Sequence, residues 1–172
     1  MKKTILEAKE ILAVDDEEDV LDILQEELED YGAKVDKATS HEEAIEKLSS
    51  LTYDLAILDI MGVRGFDLLQ VAAGRQIPVV MLTAHALNPD TLKKSIALGA
   101  RAYLPKNQLG RVAAFLEDVL TLSYHSAWHR TLDLLKSHFG KRYGPRWRKT
   151  EKEFWDQVER EVELKSGAII TP

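Results

Sequence analysis

Two carboxylates stand side by side at Asp15 and Asp16, with a third at Asp59, a hydroxyl at Thr83 and an ammonium at Lys106. Each closes a short apolar run: Asp15-Asp16 follow Val14, Asp59 follows Leu58, Thr83 follows Pro78-Val79-Val80-Met81-Leu82, and Lys106 follows Leu104-Pro105. Brought together, three carboxylates repel one another unless a cation compensates them or one proton is retained. A hard divalent ion suits such oxygen ligands, and magnesium binds through few carboxylates with waters and phosphate oxygens completing its shell. Lysine offers a compact charge for a phosphoryl oxygen, and the Thr83 hydroxyl can donate to the same group. A carboxylate nucleophile, a metal, a lysine and a hydroxyl together describe aspartyl-phosphate chemistry. Singly, each residue has a plainer reading. Asp16 can be a helix N-cap, Thr83 a cap or turn residue, Lys106 a solvated lysine and Tyr103 a half-buried strand aromatic. Their joint placement points to chemistry.

That placement depends on the elements between them. Five runs read as strands: Ile11-Leu12-Ala13-Val14, Lys34-Val35-Asp36-Lys37-Ala38, Leu55-Ala56-Ile57-Leu58, Pro78–Leu82 and Ala100-Arg101-Ala102-Tyr103-Leu104. Three are nearly continuous apolar stretches, as buried parallel strands require. Helical stripes alternate with them. Val20, Leu24, Leu28 and Tyr31 precede the breaker Gly32; Ala44, Ile45, Leu48 and Leu51 follow; Phe66, Leu69 and Ala73 end at Gly74. Leu92, Ile96 and Leu98 come before Gly99, and Leu109, Val112, Leu116, Val119 and Leu120 form the fifth stripe. Five strands alternating with five helices predict an α/β fold, a doubly wound five-stranded parallel sheet covered on both faces. Its functional site belongs outside the carboxyl ends of the central strands, where the five polar residues fall.

Composition narrows the class. Of 172 residues, 45% are hydrophobic and 30% charged, a globular balance. No cysteine is present, which excludes disulfides and thiolate metal sites. No run approaches the roughly 18–20 apolar residues that span a bilayer. Charge interrupts the apolar residues of Met1–Glu10, so no secretory signal is read there, and a cytoplasmic protein without membrane contact is expected. The net charge of −6 is uneven: residues 123–172 hold 10 Lys and Arg against 7 Asp and Glu, whereas residues 1–122 hold 13 against 22. Two regimes suggest two parts, a domain over 1–122 with a short extension at 1–9, and a second segment over 123–172.

Four blocks carry a family resemblance: Ile11-Leu12-Ala13-Val14-Asp15-Asp16-Glu17, Leu58-Asp59-Ile60-Met61, Leu82-Thr83-Ala84 and Leu98-Gly99-Ala100-Arg101-Ala102-Tyr103-Leu104-Pro105-Lys106. In order and spacing, residues of about 10–122 resemble the flavodoxin-like receiver domains of two-component response regulators. The resemblance implies that Asp59 accepts phosphate from a sensor histidine kinase or phosphotransfer protein. It implies Mg2+ on Asp16, Asp59 and the Met61 backbone carbonyl, with Asp15 acting through a metal-bound water. Lys106 would stabilise the phosphoryl oxygens. Thr83 would move toward the phosphate and Tyr103 would swing inward, a population shift between two states. Beyond self-phosphorylation and autodephosphorylation, no enzyme activity is implied. Two departures stand out. The loop Asp59-Ile60-Met61-Gly62-Val63-Arg64-Gly65 is two residues shorter than usual and lacks a proline. Asn107 replaces the proline that usually follows the lysine in a cis peptide, a bond costing about 3 kcal/mol for other residues. His85 is expected at the pocket rim, either influencing water access to the phosphoryl group or simply solvated.

The second segment holds all three tryptophans, Trp128, Trp147 and Trp155. Trp128, Leu132, Leu135 and Phe139 mark one helical face, and Trp155, Val158 and Val162 another, with Gly140 to Pro145 between them. A helical hairpin is predicted, too small to be stable alone. It should rest on the first domain, on a second copy in a homodimer, or on a partner. The basic stretch Lys136, Lys141, Arg142, Arg146, Arg148, Lys149 and Lys152 allows contact with DNA phosphates or a merely solvated positive surface. Three readings follow: a switch acting through protein–protein contacts of the C-terminal helices, a transcription factor with a small DNA-binding hairpin, and a magnesium-dependent phosphatase using Asp59 as nucleophile. The last lacks an evident acid–base residue.

Overall fold

A computed structural model describes residues 4–83, 89–123, 126–133, 135 and 152–165. Five parallel strands, β1 (Glu10–Val14), β2 (Lys34–Ala38), β3 (Leu55–Asp59), β4 (Val79–Thr83) and β5 (Ala102–Pro105), form one sheet in the order β2-β1-β3-β4-β5. β3 lies in the middle and is buried at every position, which explains its uninterrupted apolar sequence. β2 is an edge strand, half exposed, and carries the charges Lys34, Asp36 and Lys37.

Alternation along the strands sends side chains to two cores. Leu12, Val14, Ala56, Leu58, Val79, Met81 and Tyr103 face α2 (His41–Ser50), α3 (Gly65–Gly74) and α4 (Pro89–Ala97). Ile11, Ala13, Leu55, Ile57, Val80, Leu82, Ala102 and Leu104 face α1 (Glu18–Glu29) and α5 (Val112–Thr121). The doubly wound α/β fold is thus the one expected from the sequence. Local signals account for its helix ends. Ser40 Oγ accepts the Glu43 amide at 3.1 Å while the Glu43 carboxylate accepts the Thr39 amide at 2.9 Å, a reciprocal N-terminal cap. Gly32, at φ 88°, takes the left-handed turn after α1.

Some stripes shift in detail. In α3 the fully buried side chains are Leu68, Leu69 and Ala72, while Phe66 is partly buried against the same core. Leu51 caps α2 and is exposed. Leu109 belongs to a 3-10 segment, Lys106–Arg111, which precedes α5. The N-terminal extension is anchored: Leu6 is fully buried among the α1 and α5 residues, and the Ala8 amide donates to the Gly32 carbonyl at 2.8 Å.

The C-terminal helices rest on the first domain. Helix α6, over 126–133, buries Trp128 and Leu132, and Leu135 just beyond it is also buried; α7 (Lys152–Lys165) buries Val158 and Val162. All five join the core cluster that holds α4 and Tyr103. Phe139, Gly140 to Pro145, Trp147 and the basic stretch from Lys136 to Lys149 lie outside the described residues, as do the side chains of Lys152 and Trp155. The connection that would make the two helices a hairpin therefore lies outside them too.

Candidate functional site

Strand termini bring the polar residues to one edge of the sheet. β1 ends at Val14 and β3 at Asp59, in register with Val14 beside Leu58, so Asp15 and Asp59 emerge next to each other. β4 ends at Thr83, opposite Pro105 of β5, which delivers Lys106 to the same edge. Asp15 is fully buried and Asp59 nearly so. Between them lies the Lys106 ammonium, 2.7 Å from Asp15 Oδ2, 3.2 Å from Asp59 Oδ1 and 3.3 Å from Glu17 Oε1.

The electrostatics follow from this crowding. Burial pushes the Asp15 carboxyl above its ordinary range, against the pull of the neighbouring Lys106 ammonium and Glu17 amide. For Lys106, burial opposes the charge, yet the Asp15 and Asp59 carboxylates outweigh it and raise the ammonium to about 12. The remaining oxygens are also engaged. Asp15 Oδ1 accepts the Glu17 amide at 2.9 Å, and Asp59 Oδ2 accepts the Gly62 amide at 3.0 Å.

Asp16 is exposed and is not the N-cap of α1, a position that Glu17 takes without a side-chain cap. The plain reading of Asp16 as a cap is thus displaced. Its carboxylate instead lies against the loop after β3: a Cβ at Gly62 would sit 2.3 Å from Asp16 Oδ1. Carboxylate oxygens of Asp15, Asp16 and Glu17 lie within 4.8 Å of one another. This oxygen-only donor set, with a glycine clearing space beside Asp16, fits a hard divalent cation such as magnesium. Sequence reading assigned no role to Glu17 or Gly62. An acidic residue two positions beyond Asp15 was one signal, and a glycine three beyond Asp59 was the other. Asp15, Asp16 and Glu17 form this group, while Asp59 meets Asp15 through the shared Lys106 ammonium.

Both departures from the familiar pattern have structural answers. The shortened loop closes through the Gly65 amide, which donates to the Ile60 carbonyl at 2.9 Å. A Cβ at Gly65 would come 2.1 Å from the Asp59 carbonyl oxygen, so only glycine permits this closure. Arg64 absorbs the tight turn at φ 51°, a left-handed conformation unusual outside glycine. Met61, the expected carbonyl ligand, sits on this loop with its side chain exposed. No cis peptide occurs among the described residues. The Lys106–Asn107 bond is therefore trans, and Lys106 reaches the carboxylates from the first residue of the 3-10 segment.

Thr83 is half-buried at the end of β4. Tyr103 is fully buried, its hydroxyl 3.0 Å from Thr91 Oγ1. Burial raises its phenol pKa, against the pull of the neighbouring Thr91 and Thr83 hydroxyls, so it stays protonated and able to donate. Tyr103 points inward, within the cluster that Trp128, Val158 and Val162 share. His85 lies outside the described residues.

Residues 11–114 match the family described as the response regulator receiver domain. The chain belongs to that family. Among curated relatives, the response regulator SaeR of Staphylococcus aureus is 40% identical over 100 residues, a stretch covering 56% of this chain and 43% of SaeR. The matched stretch thus spans less than half of that relative's length. Solved structures agree: the receiver domain of NtrX from Brucella abortus is 31% identical, with a TM-score of 0.59, covering 66% of this chain and 99% of NtrX's. A two-component response regulator from Clostridium difficile is 28% identical, with a TM-score of 0.61, covering 66% of this chain and 97% of its own. The receiver is the part shared. No helix among the described residues is long and apolar enough to cross a membrane.

Proposed function

We propose that Asp59 of this two-component receiver is the phosphoacceptor, charged by the phosphohistidine of a sensor histidine kinase or phosphotransfer protein. The observation that carries the reading is the Lys106 ammonium seated between the buried Asp15 and Asp59 carboxylates at the strand edge. The Asp59 carboxylate attacks phosphorus, an O–P bond forms as the P–N bond of the donor breaks, and the departing imidazole takes up a proton. Asp15, Asp16, Asp59 and the Met61 carbonyl would hold Mg2+, with Asp15 acting through a water. When bound, the ion offsets the carboxylate charge and takes up phosphoryl oxygens. Lys106 leaves its ion pairs to meet the charge that spreads over the phosphoryl oxygens, and Thr83 donates its hydroxyl to one of them.

The chain divides into a receiver over 1–122 and a C-terminal helical extension over 123–172, acting in the cytoplasm. The extension turns phosphorylation into altered protein–protein contacts. Burial of Trp128, Val158 and Val162 against the receiver supports a role in contact rather than as a free DNA-reading hairpin. The test is intact mass of the full chain after acetyl phosphate and magnesium, beside Asp59→Ala. A gain of one phosphoryl group in the wild type alone is expected; equal gain in both, or none in the folded wild type, overturns the assignment.

A further inference from the structure

The loop after β3 is short, yet it carries much of the pocket. Its Gly62 amide donates to Asp59 Oδ2 at 3.0 Å, and Met61 offers the carbonyl read above as a metal ligand. The loop closes through the Gly65 amide on the Ile60 carbonyl and turns at Arg64, with φ 51° and ψ 58°. A non-glycine residue stays in that left-handed region only where its surroundings impose it. The Arg64 side chain shows what imposes it here. Its Nη2 lies 2.9 Å from His41 Nδ1, and its Nη1 lies 4.0 Å from Asp67 Oδ2. A guanidinium can only donate, so Nδ1 accepts and the ring proton sits on Nε2. That Nε2 is screened from solvent, with Asp67 Oδ2 3.8 Å away. His41 opens α2 directly after the Ser40 cap. Its side chain is only 21% exposed, against 68% for Arg64 and 61% for Asp67. The exposed Arg64–Asp67 pair contributes little by itself. The ring is the fixed member of the three.

We propose that His41 is a positioning residue of the phosphoryl site: by holding Arg64 it fixes the turn that sets the Met61 carbonyl and the Gly62 amide around Asp59. The proposal rests on the reading of Asp59 as phosphoacceptor. Two features make the geometry of this loop decisive. Magnesium tolerates little departure from octahedral ligand placement. Gly62 also stands against the Asp16 carboxylate with no room for a Cβ, so a small shift of the loop changes that contact. Arg64 lies between Gly62 and the closing Gly65 amide, and a turn that relaxed out of the left-handed region would carry Met61 and Gly62 with it. The support comes from a different element, the capped start of α2, and rigid elements hold site residues more closely than loops do. Partners outside the ligand shell govern metal affinity in this way.

Nuclear magnetic resonance of the metal-free full chain reads the loop through Gly65 amide exchange and the Gly62 amide shift, and calorimetry reads Mg2+ affinity. His41→Leu, which keeps bulk but removes the acceptor, should speed Gly65 exchange and weaken Mg2+ binding about ten-fold, the lower end for partners outside the ligand shell. His41→Asn, whose carboxamide oxygen can stand in for Nδ1, should restore both. In an Arg64→Gly background the turn is free of strain and no guanidinium needs holding, so adding His41→Leu should change neither. If His41→Leu does not fold, Arg64→Met carries the test by removing the other half of the bond, and it should loosen the loop likewise. Wild-type exchange and Mg2+ affinity in the folded variant overturn the brace. So does His41→Asn failing as His41→Leu does, which would make the ring mere filling. Acetyl phosphate mass gain in the same samples separates the two readings. Mass gain in the wild type with an unaltered loop in the variants leaves Asp59 standing without the brace. A loop that responds to the variants in a chain that never gains mass overturns the reading of Asp59 alone.

Discussion

Lys106 touches three carboxylates and so sets the charge state of the pocket. Without it, Asp15 stays fully buried with its charge unmatched, and such a loss from a buried pair costs about 3–5 kcal/mol when the remaining group stays ionised. Asp15 can escape part of that cost by protonating, since burial already pushes its pKa upward. A carboxyl whose folded pKa lies above the unfolded value, 3.8, makes the folded state bind more protons across that window, so stability falls as pH rises through it. Lys106→Met, unfolded by denaturant with chelator present, should therefore lie much closer to wild type at pH 4 than at pH 7. Equal deficits at both would mean that Lys106 does not compensate Asp15. Glu17 and Gly62 were silent in the sequence for one reason. Each owes its place to a residue from a segment distant in sequence, Lys106 for Glu17 and Asp16 for Gly62.

At the level of elements, the edge of the sheet is held by a small polar network. Asp36 of β2 accepts from Lys47 Nζ of α2 at 2.6 Å and from the Tyr53 hydroxyl, just before β3, also at 2.6 Å. Desolvation opposes the Asp36 charge, but these two donors outweigh it and lower its pKa. Desolvation, then the hydrogen bond to Asp36, raise the Tyr53 phenol well above its ordinary value of 10.0. A raised folded pKa means the Tyr53 contribution is complete below the unfolded value and is lost as pH climbs beyond about 10. Tyr53→Phe should cost about 1.5–3 kcal/mol at pH 7, the usual net worth of a hydrogen bond to a charged group. Its denaturation midpoint should also fall less than that of the wild type between pH 9 and about 11. A parallel fall in both proteins would remove Tyr53 from the network. Periodicity showed β2 and α2 to exist. It could not show which polar side chains meet across their junction, because polar residues on half-exposed faces leave no periodic mark.

Across the whole molecule, receiver and extension share a core through Trp128, Leu132, Leu135, Val158 and Val162. Among the described residues Trp128 is the largest fully buried side chain, and its indole also donates to the Ala100 carbonyl. Removing such a side chain typically costs about 3–5 kcal/mol. If the shared core makes one cooperative unit, Trp128→Ala should lower a single thermal transition, read by circular dichroism. A receiver transition left at its original temperature, with a second one appearing below it, would show the extension to be a separate unit. Charge asymmetry had marked residues 123–172 as different in kind from the receiver. The structure makes their described helices part of the receiver's packing.

The residues alone settled what is local or repetitive: five strands by their apolar runs, five helices by their stripes and glycine stops, and the polar termini Asp15, Asp59, Thr83 and Lys106 that a parallel sheet must bring to one edge. These follow because side-chain period and strand polarity are written into neighbouring residues. Only the folded chain decided which oxygen each ammonium meets, how Gly65 closes the shortened loop over the Asp59 carbonyl, that Tyr103 points inward, and that α7 covers α4. Those are contacts between segments far apart in sequence, fixed by steric fit and burial in three dimensions, and no short-range pattern encodes them.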